Sequence, residues 1–327
     1  SATGFLEAKM QIYELKKSGL SQVDRDPFKL ERDIQALVEE NLDTLFGLEF
    51  VSSEFPIGEF RLDSLAFDAE NSAFVIVEYK KGSSYSVVDQ GYSYLSTMLN
   101  NKAEFILEYN EKTGKQIKRG DIDWAASKVI FVSPSFNSYQ KNSVNFKDVP
   151  FELWEIKRFS GGLIALEQHV STSSESIEKL SGSDDRSVIS RVSSEVKVTS
   201  EADHVAKLND SLKGVWDELK AKLEEFSDTS FLVTKGYVSW KRGGTAVCFI
   251  HFRKREFRID VLRGNKKETG SKSKGYFTLD DPKGLSGERS WTWKSGTTGH
   301  AYTIELRDSS GIDYVMYLLE QKYRAVE

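Results

Sequence analysis

A mixed α/β sheet flanked by helices, followed by a separate C-terminal α+β domain, is the fold class this sequence predicts, and three observations predict it. Apolar strand-like runs alternate with helical periodicity between residues 26 and 170. A break follows: residues 171–200 contain 11 serines and no aromatic residue. Beyond it come a helical stripe, a series of alternating aromatic and β-branched strands, and a closing helix. At 327 residues the chain is too long for one ordinary domain and suits two, each able to bury its own core. The expected division is residues 1–170, a serine-rich linker over 171–200, and residues 201–327.

Each element has its own signal. In "DPFKLERDIQALVEENLDTLFG", Leu30, Ile34, Leu37, Val38, Leu42 and Leu45 recur at helical spacing, with Pro27 suited to a first turn and Gly47 to a stop. One amphipathic helix is expected there. "GEFRLDSLAFDAENSAFVIVEYKK" gives two strands, about 59–67 and 73–80, joined by the turn composition "DAENS". A helix over about 86–100 follows, then "EFILEY" and "SKVIFVSPSF" as strands, and "FELWEIKRFSGGLIALEQHV" as a strand pair around Gly161 and Gly162. The C-terminal part opens with Val205, Leu208, Leu212, Val215, Trp216, Leu219 and Leu223 on one helical stripe. Strands are then expected in "FLVTKGYVSWKR", "TAVCFIHFRKREFRIDVLRG", "KGYFTL" and "WTWKSGTTGHAYTIEL", with a hairpin at Gly243 and Gly244 and a last helix in "IDYVMYLLEQKYRAV".

Composition removes several classes of function. One cysteine, Cys248, forms no intramolecular disulfide, and four scattered histidines offer no zinc-type cluster, so the expectation is a cytoplasmic protein without structural metal. No apolar run approaches the roughly 20 residues that cross a bilayer. The sequence also lacks a GxxxxGK[ST] loop, an HExxH pair and a GxSxG elbow. Cys248 reads as core, and His251 and His300 as structural or exposed.

The chemistry concentrates in "VIVEYKKGSSYSVVDQGYSYL". A turn centred between Glu70 and Asn71 sets Asp63 opposite Glu78 across an antiparallel ladder, where like charges repel. A cation between them reverses that sign. Strand period two puts Lys80 on the face of Glu78, so two carboxylates and one ammonium converge at one end of the sheet. Such an arrangement suits magnesium or manganese, with Lys80 orienting water and stabilising developing negative charge. A register slip of one residue would separate the carboxylates. The plainer alternative is an ion-pair cluster at an exposed strand end. For Gln90 and Tyr94, four apart on the next helix, the alternatives are a site role or ordinary packing.

At these residues the sequence resembles the PD-(D/E)XK nuclease superfamily, whose fold is restriction-endonuclease-like: "RLDSLAF", ten intervening residues, "EYK", then "QGYSY", similar to the Q-x-x-x-Y signature of one branch. The resemblance spans about residues 26–165 and implies that Asp63 and Glu78 bind magnesium, often with the Tyr79 carbonyl, while Lys80 assists the water and Gln90 and Tyr94 take auxiliary positions. It also implies an acidic residue on the first core helix, for which Glu31 fits best and Glu40 second. Leu62 stands where the family's proline is usual. The longer string "FRLDSLAFD...EYKK...DQGYSYL" looks like an uncharacterised bacterial family that joins this fold to a C-terminal domain and has carried a transport label that these residues do not support. The implied activity is hydrolysis of phosphodiester bonds in nucleic acid, DNA favoured. A catalytically silent module binding nucleic acid or protein is the alternative.

The net charge of −5 hides a basic segment. Residues 231–307 hold 16 Lys and Arg against 7 Asp and Glu, a surplus of nine. Arg253, Lys254, Arg255, Arg258, Arg263, Lys266 and Lys267 cluster there, with Trp240, Trp291 and Trp293 nearby in sequence, and are the expected contacts to a nucleic-acid backbone and unstacked bases. A solvated sheet face over an aromatic core is the alternative. Expected partners are nucleic acid and a second copy of the chain or another protein, with no membrane.

Overall fold

The computed structural model describes residues 10–82, 86–177, 188–264, 276–292 and 298–326. A hairpin of β1 (Ile12–Lys16) and β2 (Gly19–Val23) forms its own two-stranded sheet and leaves Leu15 and Leu20 exposed. The helix expected over 26–47 is instead two, α1 (Glu31–Glu40) and α2 (Leu42–Phe46). Asn41, at φ −126° and ψ 19°, breaks the helical path between them. Gly47, at φ 67°, ends α2 in the left-handed conformation that glycine adopts cheaply.

The first sheet comprises β3 (Glu49–Ile57), β4 (Phe60–Asp68), β5 (Ala73–Tyr79), β6 (Lys128–Ser133), β7 (Phe151–Phe159) and β8 (Leu163–His169), in that spatial order. β5, β6 and β7 run parallel, and the remaining pairs are antiparallel. Every residue of β5 is buried, as a central strand covered on both faces requires. Phe67, Phe74, Ile76 and Phe131 pack on one face against α3 (Val87–Asn100) and α4 (Lys102–Thr113). Ala66, Val75, Val77 and Ile130 pack on the other face against Ile34 and Val38 of α1. This is the mixed, doubly covered sheet that the sequence predicts.

One strand assignment changes in this unit, and two elements appear that were not expected. "EFILEY", expected as a strand, lies inside α4, because Phe105 and Tyr109, four apart, are its buried residues among good helix formers. β3 had no strand signal: two serines, Pro56 and a bulge between Phe50 and Ser52 disrupt its alternation. At the edge of the sheet the proline is tolerated. The short helix α5 (Ser138–Ser143) follows β6, capped by Asn137, whose side chain accepts from Gln140 N at 2.8 Å.

In the serine-rich segment, residues 178–187 lie outside the described residues. The flanking parts pack on the first sheet unit. Ile177 is buried, and in α6 (Val188–Glu195) and just after it Val192 and Val196 join the core under α3. Arg191 donates to Ser96 at 3.2 Å and Lys102 pairs with Glu195 at 2.6 Å. Three apolar side chains among many serines carry too little periodicity to announce this docking.

The C-terminal unit begins with α7 (Glu201–Val205) and α8 (Asp210–Glu224), whose Leu212, Val215, Trp216, Leu219 and Leu223 are buried. Its antiparallel sheet contains β9 (Thr229–Val233), β10 (Val238–Arg242), β11 (Thr245–Arg253), β12 (Glu256–Leu262), β13 (Gly287–Thr292) and β14 (Thr298–Leu306), in the order β13-β14-β12-β11-β10-β9. α9 (Ile312–Ala325) and α8 cover one face, above Cys248, Ile250, Ile259 and Ile304. "KGYFTL" gives no strand in its described part: Phe277 and Leu279 reach the core from a loop instead. The two sheets meet where Tyr237 donates to Glu70 at 3.1 Å and Lys235 pairs with Asp123 at 3.1 Å.

Candidate active site

The β4–β5 ladder pairs Asp68 with Ala73 and Ser64 with Val77, and continuing that register by one residue sets Asp63 opposite Glu78. The carboxylates therefore face each other at the end of the hairpin remote from its turn. Glu78 is only 2 % exposed. Its Oε1 accepts from Lys80 Nζ at 2.7 Å and from Gln90 Nε2 at 2.7 Å, while its buried Oε2 has no hydrogen-bond partner among the described residues. Asp63 Oδ2 accepts from the Tyr79 backbone N–H at 3.0 Å.

α3 delivers the other two expected residues. Ser86 caps it by accepting from Asp89 N at 3.3 Å, which starts the helix so that Gln90 and Tyr94 share its sheet-facing side. Gln90 Nε2 also lies 2.8 Å from the Tyr94 hydroxyl, so Tyr94, Gln90 and Glu78 form one chain. Beside Gln90, Gly91 lies against Phe151: an added Cβ would stand 2.5 Å from that ring.

Charge crowding shifts these groups. Burial, and then the charge of Glu78, push the Asp63 carboxyl up to about 7, against the Tyr79 N–H and Lys80. Burial opposes charge on Lys80, but the hydrogen bond and charge of Glu78, with Asp63 and Glu31 behind it, hold its pKa above the ordinary lysine value. Burial and Glu78 also raise the Tyr94 hydroxyl.

A second polar layer lies on the α1 face. Gln35 Nε2 donates to the Asp63 carbonyl at 2.9 Å and lies 3.0 Å from Glu39 Oε1 and 3.2 Å from Glu54 Oε1. Ser64 donates to Glu39 at 2.5 Å and sits 3.0 Å from the Tyr79 hydroxyl. Glu54, at φ 53°, is a strained non-glycine residue, pairs with Arg61 at 2.7 Å and adds to the upward push on Asp63. Sequence reading missed Gln35, Glu39 and Glu54. The available signal was the Glu31, Gln35, Glu39 stripe at spacing four on an otherwise amphipathic helix. Glu31 itself begins α1 and acts on Lys80 through its charge; no hydrogen bond joins it to Asp63 or Glu78 among the described residues.

Among the described residues no three His, Cys, Asp or Glu side chains form a ready-made metal cage. The pair nonetheless fits a divalent cation. Magnesium takes one or two carboxylates and fills its remaining positions with water and phosphate oxygens, and Glu78 Oε2 is a buried acceptor without a donor among the described residues. Elsewhere, a cleft of about 360 Å³ between the two sheet units is lined by Asp68, Asn71, Lys128, Glu152 and Thr234. It lies toward the turn end of the β4–β5 hairpin, away from the carboxylate pair.

The expected basic contacts are dispersed. Lys254 and Arg255 are exposed or nearly so in the β11–β12 turn, and Arg253 pairs with Glu256 at 3.2 Å. Arg263 is buried, 3.2 Å from Glu288 and beside the Tyr276 and Tyr302 rings. Lys266 and Lys267 lie outside the described residues, as does Trp293. Trp240 is core, stacked on Tyr323, while the Trp291 ring lies over Gly299, where an added Cβ would stand 2.4 Å from it. What the fold assembles instead surrounds Asp260, which is fully buried: Arg289 at 2.6 Å, His251 at 3.0 Å and Arg258 at 3.5 Å. Asp260→Ala is expected to cost about 3–5 kcal/mol, because it leaves Arg258 and Arg289 without their counter-charge. Urea unfolding of the variant measures it.

Comparison with known proteins finds no matching family model. An uncharacterised protein of Haemophilus influenzae is 40 % identical over 313 residues, which cover 95 % of this chain and 99 % of that protein. Three solved structures share local similarity. A repair endonuclease from Pyrococcus abyssi has a TM-score of 0.22 and 19 % identity over 36 % of this chain and 44 % of that one. EndoMS in complex with double-stranded DNA has a TM-score of 0.21 and 16 % identity over 41 % and 60 %. SfsA from Pyrococcus furiosus, in complex with calcium, has a TM-score of 0.22 and 13 % identity over 45 % and 75 %.

Proposed function

The chain belongs to the same family as the Haemophilus influenzae protein, and from that premise we propose that it is a magnesium- or manganese-dependent nuclease of the PD-(D/E)XK type. The observation that carries this reading is Glu78: a carboxylate 2 % exposed whose second oxygen has no hydrogen-bond partner among the described residues. Burying an unsatisfied charged acceptor is costly. A cation shared with Asp63 removes that cost and the repulsion between the two groups together.

In this reading Asp63 and Glu78 hold the ion, which when bound supplies positive charge to the phosphate under attack. Lys80, 2.7 Å from Glu78, places its ammonium at the same edge, where it orients water and stabilises negative charge developing on phosphate oxygen. Gln90, braced by Tyr94, fixes Glu78 through an amide hydrogen bond. Glu31 tunes Lys80 electrostatically. The reading includes DNA as the favoured substrate, by family resemblance, and a cytoplasmic location. The exposed Lys254 and Arg255 of the β11–β12 turn are the expected basic residues that this reading keeps as contacts to the backbone.

Crystals soaked in manganese test the site through anomalous scattering. A peak between Asp63 and Glu78 is the expected result. Loss of that peak in Glu78→Gln would accompany it. An empty pair in well-ordered crystals would favour a silent binding module.

A further inference from the structure

We propose that Lys141 and Lys157, held together by Glu155, form a phosphate subsite that grips the nucleic-acid backbone beside the carboxylate pair. The inference rests on the nuclease reading for its substrate, and on the sheet for its position.

The parallel strands β5, β6 and β7 end along one edge. Their register aligns Glu78 with Phe131 and Phe131 with Leu153. Glu155, two residues beyond Leu153, points to the same face, the one covered by α3 and α5. Two strand spacings separate β5 from β7, about 10 Å. That equals roughly three nucleotides along one strand of a duplex. The carboxyl edge of parallel strands is also where open α/β sheets bind their ligands.

Glu155 is buried and collects three donors, with the His169 ring beside it. Its Oε1 lies 3.1 Å from the Phe136 N–H, 3.1 Å from Lys141 Nζ and 3.0 Å from His169 Nε2, and its Oε2 lies 2.7 Å from Lys157 Nζ. Anchoring the loop after β6 needs only the Phe136 contact. Two lysines on one carboxylate leave a surplus of positive charge, and the nearest further acid, Glu167, is 4.0 Å from Lys157 and largely exposed. Lys141 keeps 32 % of its side-chain surface in water and Lys157 16 %, while His169 Nε2 is buried, so the two ammonium groups are the ones a phosphate meets. Glu155 is thus a pre-organising counter-ion that fixes cations at the place a neighbouring phosphate must pass.

Binding of a labelled DNA duplex by the full-length chain, without divalent metal so that nothing is cut, tests this across a salt titration. Lys141→Met and Lys157→Met should each lower the slope of log K against log salt by about one. Lys157→Arg should restore it. Lys115→Met, whose partner Glu49 lies on the opposite edge strand β3, should leave the slope unchanged. A double Lys141→Met, Lys157→Met variant that melts like the parent and keeps the parental slope overturns the proposal, as does a parent that does not bind DNA. Should Lys157→Met fail to fold, Lys141→Met on the partly exposed α5 decides alone. Reduced slopes in a parent that never cuts with magnesium leave the subsite standing and remove the nuclease reading.

Discussion

Without divalent metal at pH 8, Asp63→Asn melts roughly 3 to 8 °C above the parent chain, although it should no longer cut nucleic acid. The Asp63 carboxyl moves from an ordinary 3.8 to about 7, chiefly through burial and then through Glu78. Because the folded value exceeds the unfolded one, the folded protein binds more protons between about pH 4 and pH 7, and stability falls as pH rises through that window. Taken whole, the shift is worth up to about 4 kcal/mol. Asp63 is half-buried, and screening by water reduces this to about 1–3 kcal/mol. The asparagine carries no charge, keeps an acceptor for the Tyr79 N–H, and removes that pH dependence. Magnesium should reverse the order, stabilising the parent above pH 7 and leaving the variant unmoved. Thermal melts from pH 5 to pH 9, with and without magnesium, measure both effects. A variant less stable than the parent at pH 8 without metal would contradict the electrostatic account.

Lys80→Met should lower the cleavage rate by about 10²–10³-fold, the usual size of losing one preorganised charge partner of a transition state. Manganese affinity should survive, since Lys80 is no ligand and Gln90 still holds Glu78 Oε1 at 2.7 Å after its removal. Lys80→Arg should recover only part of the rate, because the guanidinium fork does not reproduce a compact ammonium 2.7 Å from Glu78. Single-turnover cleavage beside manganese titration separates the two quantities. Equal loss of metal binding and of rate would assign Lys80 to holding the carboxylate cluster together.

The carboxylate pair was legible because its information is local. "DAENS" sets the turn, the turn sets the register, and the register opposes Asp63 to Glu78. Helical spacing left Gln90 and Tyr94 open between packing and a site role, which the family resemblance implied, and the structure joins both to Glu78. What escaped depends on contacts between distant elements. Gln35 matters because α1 crosses β4 at the Asp63 carbonyl, which no window around residue 35 encodes. "EFILEY" is ambiguous as a short apolar run, and only its packing under the sheet makes it helical. The basic string over 253–267 looked continuous, but strand alternation and bends turn Arg258 toward Asp260 and bury Arg263 against tyrosines. Arg289 and His251, from other strands, complete the cluster around Asp260.

The central claim meets its most direct test in cleavage of end-labelled single- and double-stranded DNA by the purified chain with magnesium, manganese or chelator, beside Glu78→Gln. The account predicts cutting that requires metal and falls by roughly 10³-fold or more in the variant, the loss of about 4 kcal/mol of transition-state stabilisation. Cutting that persists in chelator, or that Glu78→Gln retains in full, would contradict it.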